Sequence, residues 1–413
     1  MGEIKSRTLK CGAPLIVERM DGVRSAAVTW LVPCGGAFDP ADRLGRATMW
    51  GELLMRGGGA LNSREQADAF DRLGVSRGTE SGAFTFRIGA TLLGEHLEEA
   101  LPLLVDMALR PRMDEDAVEP ARDLALQALA SVNDEPHERA GLLIRAKHQP
   151  PPLDRSGLGT EEGLKSLSRE ELVNGWRECA KPAESIFAAA GVVDIDGLEA
   201  RLNALLDRWS GTNPEPAVGP TPARGYHHEE DDTNQVQILI AHDAPAEPDN
   251  DSLLEKLTVG VLSGGMAGRL FSEVREKRGL CYSVNAGYRG DRDYGAVTAY
   301  VGTTPERAQD SLDVLWGELQ RIMSVPGRVT PEEFNRARVG MKSGLVFSGE
   351  STGARSSALA SDQRRLGRPR SLEEIAAKID AVTLDQLNAY LARRSLGKVT
   401  IVTLGPKGLK SPG

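Results

Sequence analysis

From Gly264 to Glu306 the chain reads GGMAGRLFSEVREKRGLCYSVNAGYRGDRDYGAVTAYVGTTPE. The runs CYSVNAGY and GAVTAYVG alternate in the manner of strands and are read as such. Beyond Pro305, apolar residues at Ala308, Leu312, Leu315 and Leu319 make one stripe of a helix. A strand pair followed by an amphipathic helix predicts helices packed on a sheet.

That order recurs upstream at an offset of about 215 residues, too long for a solenoid repeat and suited to a duplicated domain. After His96 the same helical stripe appears at Leu97, Leu101, Leu104 and Ala108. MDEDAVEPARD from Met113 and VTPEEFNRARV from Val329 share an acidic helix start and an Ala-Arg pair. LSREEL from Leu167 and VTLDQL from Val382 each place a hydroxyl at an N-cap, followed by a helix and an apolar strand ending in Gly. Further strands are read at PLIVERM, SAAVTWLV, GAFTFRIGA and QVQILIAH. Four prolines and three glycines between Ser210 and Gly225 deny that stretch both helix and ladder. The expected organisation is therefore an α+β domain over 1–209, a linker over 210–225, and a second α+β domain over 226–413.

Composition narrows the function. The 413 residues carry a net charge of −9 without any basic run, which speaks against a nucleic-acid surface. Cys11, Cys34, Cys179 and Cys281 are scattered, with no spacing suited to a disulfide framework or a cysteine metal site. Neither a secretory signal nor an apolar run of membrane-spanning length is present, so a cytoplasmic protein with no membrane partner is expected. None of the six histidines stands in a helical zinc motif, and the adjacent pair His227 and His228 on a strand would face opposite sides. No nucleophile elbow or P-loop occurs.

The Gly264–Glu306 stretch, with Arg275, EKRGL and Tyr282, resembles the C-terminal domain of the pitrilysin/insulinase zinc peptidases, which include mitochondrial processing peptidase. The opening LKCGAPLIVERMDGVRSAAVTWLVPCGGAFDP and the later KHQPPPLDRSGLGTEEGLKSLSREEL are similar to first-domain segments of that family. The resemblance implies two homologous domains, with helices on a mostly antiparallel sheet, forming half of a clam-shell. In active members it implies that the Arg and Tyr reach the substrate backbone. Arg275 and Tyr282 are thus the expected substrate-binding pair; the plainer alternative is that Arg275 caps local acids and Tyr282 packs. Gly264, Gly265 and Gly268 of the loop LSGGMAGRL offer close backbone approach to a peptide, or simply a tight turn.

Where active members read Gly-x-Ala-His-x-x-Glu-His, this chain reads GRATMWGE. Thr48 and Glu52 replace the two His ligands and Gly51 replaces the catalytic Glu. At the third ligand position only Gln127 or Ala128 is available. A catalytic zinc site needs about three protein ligands, and an activated water needs the base as well. No catalytic residue, metal or cofactor is therefore expected in this chain. The resemblance implies a non-catalytic subunit that lends Arg275 and Tyr282 to a zinc-bearing homologue and shapes a chamber for a peptide. A structural scaffold similar to the core subunits of the respiratory bc complex is the rival expectation. An active peptidase with ligands gathered from residues such as His137 and His148 is a third.

Overall fold

The apolar runs become the central strands of two sheets in the computed structural model, which describes residues 2–412. The first sheet has six strands: β1 (Ile4–Thr8), β2 (Pro14–Arg19), β3 (Ser25–Val32), β6 (Ser76–Ser81), β7 (Phe86–Leu93) and β8 (Ile186–Gly191). A short pair, β4 (Gly57–Gly58) and β5 (Leu61–Asn62), stands apart. Their order is β1-β2-β8-β3-β7-β6, antiparallel except where β2 meets β8. β8 is buried along its whole length and β3 nearly so, which is why SAAVTWLV and IFAAAG lack a polar alternation: both faces of the sheet are covered.

One face is covered by α1 (Arg46–Leu53), α2 (Ser63–Arg72), α3 (Leu97–Leu109), α4 (Glu115–Ser131), α6 (Glu161–Ser166), α7 (Arg169–Cys179) and α8 (Ile195–Leu205). The stripe Leu97, Leu101, Leu104 and Ala108 is buried there as expected, and Ser168 caps α7 in a reciprocal box with Glu171. α5 (Pro136–His148) does not join this group.

The second sheet runs β11-β12-β10-β13-β9, built from β9 (Tyr226–Glu230), β10 (Val236–Ala244), β11 (Cys281–Gly290), β12 (Gly295–Thr303) and β13 (Thr400–Gly405). Its helices include α9 (Ser252–Ser263), α10 (Ala308–Arg321) and α11 (Pro331–Gly349), followed in the chain by α12 (Thr352–Leu366), α13 (Leu372–Ala381) and α14 (Leu384–Arg393). Ala308, Leu312, Leu315 and Leu319 are buried, and Thr383 caps α14 in the same kind of box as Ser168. The duplicated pattern of sequence is therefore a duplicated pattern of structure.

The compact units differ from the contiguous halves 1–209 and 226–413 by two exchanged segments. One unit comprises 2–131, 151–219 and 348–370; the other comprises 132–150, 220–347 and 371–412. α12 lies on the first sheet, where Leu359 and Ala360 cover Ile16, Leu31, Ile186, Ala188 and Ala190. Arg355 of α12 forms a buried ion pair with Glu18, and Ser356 Oγ lies 3.0 Å from Thr29 Oγ1. In the second unit, Ala140 and Ile144 of α5 cover Leu239, Ala241, Val402 and Leu404. Each larger aliphatic side chain so buried, such as Leu359 or Ile144, contributes roughly 1.5–3 kcal/mol. An amphipathic stripe shows that a helix needs a sheet but not which sheet it will find. Residues 209–224 contain no regular element, as the prolines and glycines require, and the passage between units falls at 219/220 within them.

Among the described residues no helix is long and apolar enough to cross a membrane.

Candidate functional site

In the first unit α1 is fixed through its apolar face. Met49, Trp50 and Leu53 are buried, and the Trp50 indole donates to Leu172 O at 2.9 Å while packing edge-on to Trp176 at 5.2 Å. Helical spacing turns Thr48, Gly51 and Glu52 together to another side. There they line a cleft of 370 Å³ with Thr79 and Ser81 of β6 and with Ala125 and Ala128 of α4. Ala128 therefore faces the cleft; Gln127, the other residue considered at the third ligand position, does not line it.

The donors in this cleft are already engaged. Thr48 Oγ1 donates to Gly157 O at 2.6 Å, Thr79 Oγ1 donates to Gly51 O at 2.8 Å, and Glu52 lies 3.7 Å from Arg56. One partly exposed carboxylate and the neutral hydroxyls of Thr48, Thr79 and Ser81 are poor zinc ligands, so the residues present do not fit that ion. Among the described residues no three His, Cys, Asp or Glu side chains come together as a metal-holding group. His137 instead stacks on Tyr300 with ring centroids 4.2 Å apart, and His148 Nδ1 lies 3.0 Å from Thr400 Oγ1. Both histidines fasten α5 to the second sheet.

In the second unit Arg275 and Tyr282 do come together. Arg275 lies on a π-helical turn, Phe271–Glu276, and its guanidinium sits over the Phe271 ring at 4.9 Å and the Tyr282 ring at 5.2 Å. The ladder slips between Cys281 and Ser283, so Tyr282 is the extra residue of a bulge, and it is 83% exposed. The Arg275 guanidinium has no hydrogen bond or ion pair with any described residue. The nearby acid Glu273 is held by Lys277 at 2.7 Å and Arg278 at 2.8 Å, which draw its carboxyl down to about 2. Local acids thus leave Arg275 its donors, and Tyr282 does not pack in the core. Burial pushes the adjacent Cys281 thiol up to about 11, so it is a poor nucleophile.

The glycine loop is explained mostly by its own turn. A Cβ on Gly264 would meet Gly260 O at 2.3 Å, and one on the buried Gly268 would meet Leu262 O at 2.9 Å. Gly265 has φ +92 with open space beside it, a conformation that favours glycine. Arg269 next to the loop is buried and pairs with Glu333 at 2.7 Å, which sequence reasoning missed because the partner is 64 residues away.

Residues 166–341 match the family model described as the peptidase M16 inactive domain. An uncharacterized zinc protease of Mycobacterium tuberculosis is 28% identical over 98% of this chain and 93% of its own length. Residues 166–341 thus form an M16 inactive-type domain. An uncharacterized zinc protease of Bacillus subtilis is similar at 25% identity over 98% of this chain and 99% of its own length. The fold matches a crystal structure of a peptidase M16 inactive domain from Pseudomonas fluorescens with a TM-score of 0.88 at 19% identity, covering 99% of both chains. A protease from Helicobacter pylori matches with a TM-score of 0.83 at 16% identity over 98% of this chain and 100% of its own. The chain thus carries an inactive-type M16 domain, and its first-unit cleft presents one carboxylate and no histidine.

Proposed function

We propose that this M16 homologue is a non-catalytic subunit that binds peptide and works beside a zinc-bearing homologue in the cytoplasm. The observation that carries this reading is the contrast between its two loci. The first-unit cleft is lined by Thr48, Gly51, Glu52 and Ala128, which offer a metal ion a single carboxylate and no histidine. At the second, Arg275 keeps unspent donors beside an exposed phenol, a pair suited to peptide carbonyls. The edge position of β6, which lends Thr79 and Ser81 to the cleft, also suits a peptide main chain, because an edge strand leaves ladder groups open.

The test is reconstitution. The chain is purified alone and together with an M16 homologue carrying His-x-x-Glu-His, and each sample is assayed for peptide cleavage and bound zinc. The isolated chain is expected to be silent and zinc-free, and the pair active. Chelator-sensitive cleavage by the isolated chain would overturn the proposal, and a partner equally active without this chain would reduce it to a scaffold.

A further inference from the structure

The second unit holds two arginines whose guanidinium groups pair with no carboxylate of the described residues. Tyr300 of β12 stacks on His137 of α5 and pairs with Asn285 of β11, so Asn285, Gly287 and Arg289 alternate onto the face that meets α5. From Asn285 to Arg289 the strand advances about 13 Å, and from His137 to Arg145 the helix advances about 12 Å. The far end is fixed independently. His148 Nε2 lies 3.5 Å from Asp243, and Asp243, Ala296 and Arg289 stand in one row across β10, β12 and β11. Arg145, one turn before His148, is thereby brought beside Arg289.

Electrostatics agrees with this geometry. Burial, and then the Arg289 charge, hold the Arg145 guanidinium below its usual range. Neither guanidinium has a hydrogen bond or ion pair with any described residue. The acid in their row is already taken: Asp243 receives Arg224 through both carboxylate oxygens as well as facing His148. Space beside the pair is open, since a Cβ on Gly141 of α5 or on Gly287 of β11 would meet nothing within 4 Å.

We propose that Arg145 and Arg289 form a carboxylate-binding site, taking an acidic side chain or the C-terminal carboxylate of a peptide. The site rests on the reading that this chain handles peptides, and it adds a preference for acidic ones. Two guanidinium forks can share one carboxylate, and a bound anion relieves the repulsion between them.

The experiment uses the full chain and three rhodamine-labelled nonapeptides: one with a central Glu and an amidated C-terminus, its Gln twin, and the Gln twin with a free C-terminus. Binding is read by fluorescence anisotropy, and thermal shift with glutarate is measured in parallel. At least one carboxylate-bearing peptide should bind roughly tenfold tighter than the Gln amide. That advantage should vanish in Arg145→Gln and in Arg289→Gln, persist partly in Arg289→Lys, and fade with salt. Which peptide gains tells a side chain from a chain terminus. Equal binding of all three, or a preference untouched by either Gln variant, overturns the carboxylate site while the peptide reading stands. If no peptide binds but glutarate stabilises the natural chain and not the variants, the site stands and the peptide reading falls. If glutarate fails as well, both fall.

Discussion

The guanidinium of Arg275 lies over the ring of Tyr282 at 5.2 Å, with the phenol 83% exposed on a bulge of β11. A stacked pair of this kind holds the cation in place without consuming its hydrogen-bond donors. Arg275→Ala or Tyr282→Phe should lower kcat/KM of the reconstituted pair by about tenfold or more while leaving its elution volume on gel filtration unchanged. Unchanged kinetics in both variants would leave the two residues without a part in substrate binding.

The first-unit cleft leads to a gain-of-function prediction. Thr48, Glu52 and Ala128 line one cavity, and a Cβ on Gly51 would meet nothing nearer than Thr79 Oγ1 at 3.7 Å, so larger donors have room. The combined variant Thr48→His, Gly51→Glu, Glu52→His and Ala128→Glu should bind about one zinc ion per chain by elemental analysis. Thr48→His alone should bind none. Failure of the combined variant to take up zinc would show that more than these four positions separates the cleft from a metal site.

Acid should weaken the second unit through His242. This residue is buried; its Nδ1 donates to Asp243 O at 2.8 Å and its Nε2 accepts from Arg394 Nη2 at 2.9 Å. Burial first, and then the Arg394 charge, bring its pKa from 6.5 down to about 4. Because the folded value is the lower one, the unfolded chain takes the proton first. The contribution is whole above pH 6.5 and is lost as pH falls towards 4, amounting to about 3 kcal/mol at most. Urea melts across this range should show a slope that His242→Gln flattens; equal slopes in both proteins would remove His242 from the account.

The buried pair of Glu18 and Arg355 ties α12 to the first sheet, with Arg355 Nη2 also donating to Arg370 O at 2.7 Å. Glu18→Ala leaves the cation without its partner and should cost about 3–5 kcal/mol. Arg355→Met combined with Glu18→Gln should recover part of that loss. Hydrogen exchange is the check, since amides of residues 352–366 should lose protection in Glu18→Ala before those of α5 do.

Much of the architecture was already written along the chain, because strands, helical stripes and caps depend on neighbours in sequence. SAAVTWLV, the stripes from Leu97 and from Ala308, and the boxes at Ser168 and Thr383 all form where their residue patterns place them. That Thr48, Gly51 and Ala128 bring no imidazole or carboxylate was equally legible, since a side chain lacking a ligand atom lacks it in any fold. Tertiary structure alone decided which sheet α5 and α12 would cover, that Ala128 rather than Gln127 faces the cleft, and that Arg145 meets Arg289. Those outcomes depend on apolar faces and charges brought together across tens to hundreds of residues. Hydrophobic burial and Coulomb attraction act on whatever the folded chain brings close, and local sequence carries no record of that proximity.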